Sequence, residues 1–286
     1  MRLLRPPAVA AAVAACVVAV SGCGGDDPTG EARESLPTAT AETELVDGNV
    51  DVGGGRELYV RCTGSGSPTV VMEAGDDDTS ESYSFAEEEI SGVTTTCVYD
   101  RANLGRSDPA PGPRGLPQLV GDLDRMLDTA KVPPPYVLVG TSGGGFITAG
   151  YAAAHPDEIA GMVFVDTGKP LSNPPRELVE ATAPDNPENV EKRDYLQVER
   201  DAWAGRKKVG DIPVTVISVK FSEAAIQEAP FAVEQRAMRQ NVERQKGWLI
   251  LSPRAKQIVV KTSHSVEEDD PKLVIDAIRE VVQATG

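Results

Sequence analysis

The sequence predicts an α/β fold, a mostly parallel, doubly wound sheet with helices on both faces and a small helical insertion. Three observations predict it. Short, continuous apolar runs such as residues 69–74 (TVVMEA) and 214–219 (VTVISV) have the length of strands buried on both faces. Segments of helical spacing alternate with them. In the best of these, residues 116–130, Leu116, Leu119, Val120, Leu123, Met126 and Leu127 share one face. Finally, the apolar run 137–139 leads into Gly140-Thr141-Ser142-Gly143-Gly144, and a helical pattern of small residues follows at once. A serine at the apex of a strand–turn–helix unit is the context in which Gly-x-Ser-x-Gly reads as a nucleophile elbow. The turn lacks the Gly-Lys-Ser/Thr ending of a phosphate cradle.

The chain begins with a targeting pattern. Arg2 and Arg5 precede an Ala/Val-rich run over residues 8–20, short for a membrane span, and Val20-Ser21-Gly22-Cys23 closes it. We read residues 1–22 as a signal peptide. The four closing positions resemble a bacterial lipobox, with Cys23 as the acylated first residue of the mature chain. The plainer alternative is an ordinary secretory signal with Cys23 incidental. Residues 24–44 are rich in Gly, Asp, Pro, Thr and Glu and cannot bury enough apolar surface to fold. Residues 23–44 therefore read as a lipid-anchored linker, and residues 45–286 as one globular domain outside the cytoplasm.

A net charge of −16 argues against nucleic acid and anionic membrane surfaces as electrostatic partners. Of the four cysteines, Cys16 leaves with the signal and Cys23 carries lipid. Cys62 and Cys97 remain, an even pair in an oxidising compartment.

Along the domain, Asp47-Gly48-Asn49 has turn chemistry between short strand-like pieces, and Leu58, Val60 and Cys62 alternate as in a strand. After strand 69–74 come Gly75 and the acidic loop Asp76-Asp77-Asp78, then a helix over 81–90 and a strand over 95–99. Helix 116–130, the Ser142 unit and strand 162–165 follow, the last ending at Asp166. Residues 167–211 are polar, Pro-rich and weakly periodic, and read as a helical cap inserted between two strands. Strand 213–219, a polar helix over 229–246, strand 257–261 and helix 271–282 complete the domain. Pro271 sits well in the first turn of that helix.

This order of elements resembles the α/β-hydrolase family from about residue 45 onward. The resemblance rests on Tyr99-Asp100-Arg101-Ala102-Asn103-Leu104-Gly105-Arg106-Ser107, the run from Pro135 through Gly144, His155-Pro156, Val163-Phe164-Val165-Asp166, and Ser263-His264 before Pro271. Thr141 stands where the family commonly has histidine. The family implies Ser142 as nucleophile, a histidine as general base and a carboxylate between them in sequence.

Only His155 and His264 are available. His155 closes the helix after Ser142, whereas His264 follows the last strand, at the carboxyl edge where such sites form. Two acids compete. Asp166 follows the strand after the elbow, as in some relatives. Glu223 follows the next strand, the more usual place. Asp166 is preferred. Resemblance also assigns oxyanion donors to the backbone N–H groups of Gly143 and Asp76, although an aspartate there suits an oxyanion only if its carboxylate points away. In this fold the strands carrying Cys62 and Cys97 are neighbours, which implies a disulfide between them.

The expected activity is hydrolysis of a carboxylic ester, including lipid esters, through an acyl-enzyme, with no metal and no cofactor. The partners are then a small-molecule ester or lipid substrate and, through the N-terminal anchor, the outer face of the cell membrane. Amide or peptide hydrolysis would use the same parts. A binding or scaffold lipoprotein, or a cofactor-free oxidase on the same triad, are the readings from other classes.

Overall fold

The computed structural model describes residues 45–285. The expectations for the signal peptide, the acylated Cys23 and the linker lie outside the described residues.

Eight strands form one sheet: β1 (Val46–Gly53), β2 (Arg56–Thr63), β3 (Thr69–Glu73), β4 (Thr96–Tyr99), β5 (Tyr136–Thr141), β6 (Ile159–Val165), β7 (Val214–Val219) and β8 (Ala255–Val260). Their spatial order is β1-β2-β4-β3-β5-β6-β7-β8. β1 and β2 form an antiparallel hairpin, β2 pairs antiparallel with β4, and all pairs from β4 to β8 are parallel. The helices are α1 (Ser84–Ser91), α2 (Leu116–Thr129), α3 (Gly144–Ala154), α4 (Arg176–Ala181), α5 (Tyr195–Gly205), α6 (Glu223–Glu228), α7 (Ala232–Arg239), α8 (Asn241–Gln245), α9 (Val266–Asp269) and α10 (Pro271–Gln283).

Alternating side chains of the central strands feed two separate cores. Val71, Leu138, Met162, Phe164 and Val216 face α2, α3 and Trp248. Val70, Val139, Val163, Val165 and Ile217 face α1 and α10. A strand buried on both faces has no polar side to show, which is why these runs read as unbroken apolar stretches. The α10 helix opens as its sequence suggests, with Asp270 accepting from Leu273 N at 3.2 Å and Pro271 in the first turn.

Cys62 and Cys97 are direct partners in the β2–β4 ladder and are joined by a disulfide. In the chain-entropy account, closing a loop of 35 residues stabilises the fold by about 4 kcal/mol.

Two local readings change. Asp47-Gly48-Asn49 is not a turn: Gly48 pairs with Val60 and Asn49 with Tyr59 inside β1. The hairpin turns at Gly53-Gly54-Gly55, whose φ values of 85, 69 and 73° suit glycine best. The polar helix expected over 229–246 is broken, because Gln240 (φ −102°, ψ 5°) leaves helical geometry between α7 and α8. The insertion between β6 and β7 contains α4 and α5 with irregular chain around them.

Parallel strands present their carboxyl ends at one edge. Asp76, Asp100, Ser142, Asp166, Glu223 and His264 all follow such ends. This edge is where open α/β sheets gather their ligands.

Candidate active site

Ser142 sits between β5 and α3 with φ +49°, a left-handed conformation that costs a non-glycine residue of order 1–3 kcal/mol. The surrounding glycines make the sharp turn possible. A Cβ on Gly140 would come within 2.5 Å of the Gly145 Cα, and one on Gly144 within 2.3 Å of the Ala74 carbonyl. Strand, helix and the β3 loop thus approach more closely than side chains permit. The Ser142 N–H bonds the Val165 carbonyl at 2.8 Å, which ties the turn to the neighbouring strand end.

His264, 122 residues farther along, brings Nε2 to 2.8 Å from Ser142 Oγ. Its Nδ1 lies 2.7 Å from Asp166 Oδ2. Asp166 is buried, with a side-chain exposure of 2%, whereas the imidazole is 53% exposed and open to a ligand. The hydrogen bond and charge of Asp166 raise the His264 pKa above its ordinary value, against the lowering effect of desolvation.

The remaining lone pairs of Asp166 are also engaged. Oδ1 accepts from Val219 N (3.0 Å), Asn241 Nδ2 (2.8 Å) and Gln245 Nε2 (2.7 Å). Asn241 and Gln245 are four residues apart on one face of α8, so the short helix presents two amides to one oxygen. Gln245 also donates to Asn241 Oδ1 at 3.0 Å, which fixes both side chains.

Glu223, the alternative acid, is not at this site. It is exposed at the start of α6 and pairs with Arg239 Nη2 at 2.6 Å. His155 stacks on Tyr151, with ring centroids 4.5 Å apart, at the far end of α3.

The backbone N–H groups of Asp76 and Gly143 donate no hydrogen bond among the described residues. The Asp76 carboxylate is engaged by Arg193, a fully buried arginine of the insertion whose Nη1 lies 2.7 Å from Asp76 Oδ1. The same guanidinium donates to the Gly143 carbonyl at 3.1 Å. One side chain therefore bridges both residues expected to supply oxyanion donors.

The loop beneath is fixed by further charge. Arg101 donates to the carbonyls of Ala74 (2.8 Å) and Gly75 (2.6 Å), and pairs with Glu73 and Glu191. Burial pushes the Glu191 carboxyl up, but Arg101 outweighs it and holds the group down at about 2. Glu191 in turn accepts from Asp77 N at 2.9 Å, and Tyr195 donates to Asp77 Oδ1 at 2.7 Å. The insertion is thus clamped to the β3 loop.

Sequence reasoning did not find Arg193, Glu191, Asn241 or Gln245. A charged residue ending the apolar run of β3, Glu73, was one available signal of buried charge. The i,i+4 amides of α8 were a faint second. Arg193 carries no local signal, since its partners lie 117 and 50 residues away.

A cavity of about 290 Å³ opens beside Ser142. Its walls include Phe146, Leu171, Leu178, Leu196, Phe221 and Met238, together with Lys169, Glu199 and Arg244. Burial and the charge of Asp76 push the Glu199 carboxyl up to about 7, despite Arg193, Arg200 and Arg244 nearby.

The arrangement has counterparts in known proteins. The alpha/beta hydrolase fold family matches residues 79–219. An uncharacterised protein of Bacillus subtilis, YqjL, is 27% identical over 236 residues, covering 76% of this chain and 85% of its own length. A thermophilic esterase from Thermogutta terrifontis superposes with a TM-score of 0.58 at 19% identity, covering 86% of this chain and 99% of its own. The enol-lactonase of Burkholderia xenovorans LB400 gives 0.61 at 17% identity, covering 82% and 99%. At such identities the structural likeness shows the fold, and the chemistry must be argued from the residues.

Proposed function

We propose that this chain, a member of the α/β-hydrolase superfamily, is a serine hydrolase that cleaves carboxylic esters through an acyl-enzyme. The observation that supports this reading most is the continuous hydrogen-bonded line Ser142–His264–Asp166, at 2.8 and 2.7 Å.

Ser142 Oγ attacks the ester carbon while His264 Nε2 takes its proton. Asp166 fixes the tautomer with hydrogen on Nδ1 and stabilises the imidazolium as it forms. Negative charge developing on the carbonyl oxygen is received by the unfilled N–H groups of Asp76 and Gly143. The Asp76 carboxylate lies against Gly143 and lines the cavity, and its ion pair with Arg193 offsets the negative charge it would otherwise set beside the oxyanion. The imidazolium then protonates the leaving alcohol. A water activated by the same imidazole releases the acid and restores Ser142.

A fluorophosphonate probe tests the reading. We expect covalent labelling of the intact protein, loss of labelling in Ser142→Ala, and hydrolysis of short p-nitrophenyl esters only by the unmodified chain. An intact, folded protein that neither labels nor turns over any ester would instead fit the scaffold reading.

We also propose that the protein is exported and held at the cell membrane through Cys23. The sequence pattern at residues 20–23 supports this, and the Cys62–Cys97 disulfide suits an oxidising compartment. Metabolic incorporation of an alkyne fatty acid, abolished by Cys23→Ala, is the expected result.

A further inference from the structure

The charges lining the cavity do not balance. Asp76 is paired with Arg193, and Asp166 is occupied by His264 and three N–H donors. Lys169 and Arg244 also line the cavity, yet neither forms an ion pair among the described residues. In a chain of net charge −16, two unpaired cations beside Ser142 are unexpected.

Arg244 is anchored to the backbone of Lys169, whose ammonium lies 5.5 Å over the Trp203 ring. One Arg244 nitrogen, Nη2, donates to the carbonyls of Lys169 and Pro170 at 2.5 and 3.3 Å. Its other nitrogens have no partner among the described residues. The guanidinium is half-buried; desolvation lowers its pKa against the opposing charge of Glu199, and its unfilled nitrogens remain free to donate to a ligand. Glu199, in the same wall, has no hydrogen-bond partner among the described residues either.

We propose that the cavity takes an ester that also carries a carboxylate, seated between Arg244 and Lys169 with Glu199 as a third contact. The proposal rests on the serine-hydrolase reading for the ester end. A planar carboxylate matches the two-pronged donor geometry of a guanidinium, and Lys169 adds a point charge. With its pKa raised to about 7, Glu199 is about half protonated at neutrality, and in that form it donates to the bound anion. A bound anion favours that protonated form further.

The volume of the cavity also bounds size. Half-esters of dicarboxylic acids with four to six carbons, or acyl esters of short hydroxy acids, are about the right size for ~290 Å³.

Two matched pairs of substrates test this. p-Nitrophenyl hydrogen glutarate is compared with its methyl ester, and 4-acetoxybutyrate with its methyl ester, so that the charge lies on the acyl or on the alcohol side. We expect kcat/KM to favour the charged member of at least one pair by tenfold or more. Arg244→Gln should reduce that ratio about tenfold and Lys169→Gln a few-fold, while Arg244→Lys retains more of it than Arg244→Gln. Equal kcat/KM for charged and neutral members of both pairs overturns the proposal while leaving the hydrolase reading intact.

Titration calorimetry on Ser142→Ala with the same four esters is independent of turnover. Tighter binding of a charged member supports the carboxylate site, and equal binding overturns it. Absence of hydrolysis of every ester together with no fluorophosphonate labelling counts against the hydrolase reading alone, and the calorimetric ratio then decides the carboxylate site.

Discussion

Two aspartates flank Ser142, and the regions that hold them differ in kind. Asp166 lies at the end of a central strand, buried among neutral donors: one backbone N–H, two amides and the histidine it orients. Asp76 lies in a loop and is met by a full positive charge, the buried guanidinium of Arg193. The contrast suits the mechanism proposed above. There, neutral donors position Asp166 without cancelling the charge that favours an imidazolium. Beside a developing oxyanion the same negative charge would be a liability, and the salt bridge to Arg193 offsets it.

The sharpest break of this contrast is Asp166→Asn. An amide keeps most of the hydrogen bonds but favours the wrong imidazole tautomer, so kcat should fall by roughly 10³–10⁴ with KM little changed. A loss below tenfold in steady-state hydrolysis would mean that another carboxylate does this work.

Arg193→Met probes the other side. It leaves Asp76 unpaired and an oxyanion donor loosened, so kcat should drop by about 10²-fold, the order seen for loss of one donor. Arg193 is fully buried but the Asp76 carboxylate is 36% exposed, so water replaces part of the pairing and the stability loss should stay below the ~3–5 kcal/mol of a fully buried pair. Adding Asp76→Asn should restore part of both losses, because the charge that needed Arg193 is gone. Rates and denaturant midpoints of the two single variants and the double variant form the test. Strict additivity would refute a shared role.

A smaller effect sharpens the Asp166 side. In the proposed mechanism the free imidazole is the base, so kcat/KM should rise with pH as His264 loses its proton. Because Asp166 raises that pKa, the acid limb should have its midpoint above the ordinary value of about 6.5. In Asp166→Asn the midpoint should move down. Asn241→Ala should cost about tenfold in kcat alone and much less in the Asp166→Asn background, since the two residues act through one carboxylate. Equal costs in both backgrounds would make Asn241 merely structural.

Much of this was legible beforehand because it is local. Gly140-x-Ser142-x-Gly144 after an apolar run and before a helix specifies a turn that few other residues can adopt. The choice of His264 over His155 followed from which end of the sheet each element leaves. The strand pairing of Cys62 with Cys97 followed from strand order in the resembled fold. Local composition also misled, as at Asp47-Gly48-Asn49. There, turn-forming residues are overridden by a full ladder to β2, while three consecutive glycines make the actual turn.

What the sequence determined by itself is therefore the alternation of strands and helices, the sharp turn at Ser142 and the histidine that meets it, each encoded within a few residues or by scarcity. Tertiary structure alone placed Asp166, and not Glu223, against His264, brought Arg193 to Asp76 and Gly143, and left Lys169 and Arg244 without ion pairs among the described residues. Those outcomes depend on long-range packing of charged and amide side chains. Such groups leave no periodic trace in sequence, because burial of a polar group is set by the partner that satisfies it and not by its neighbours along the chain.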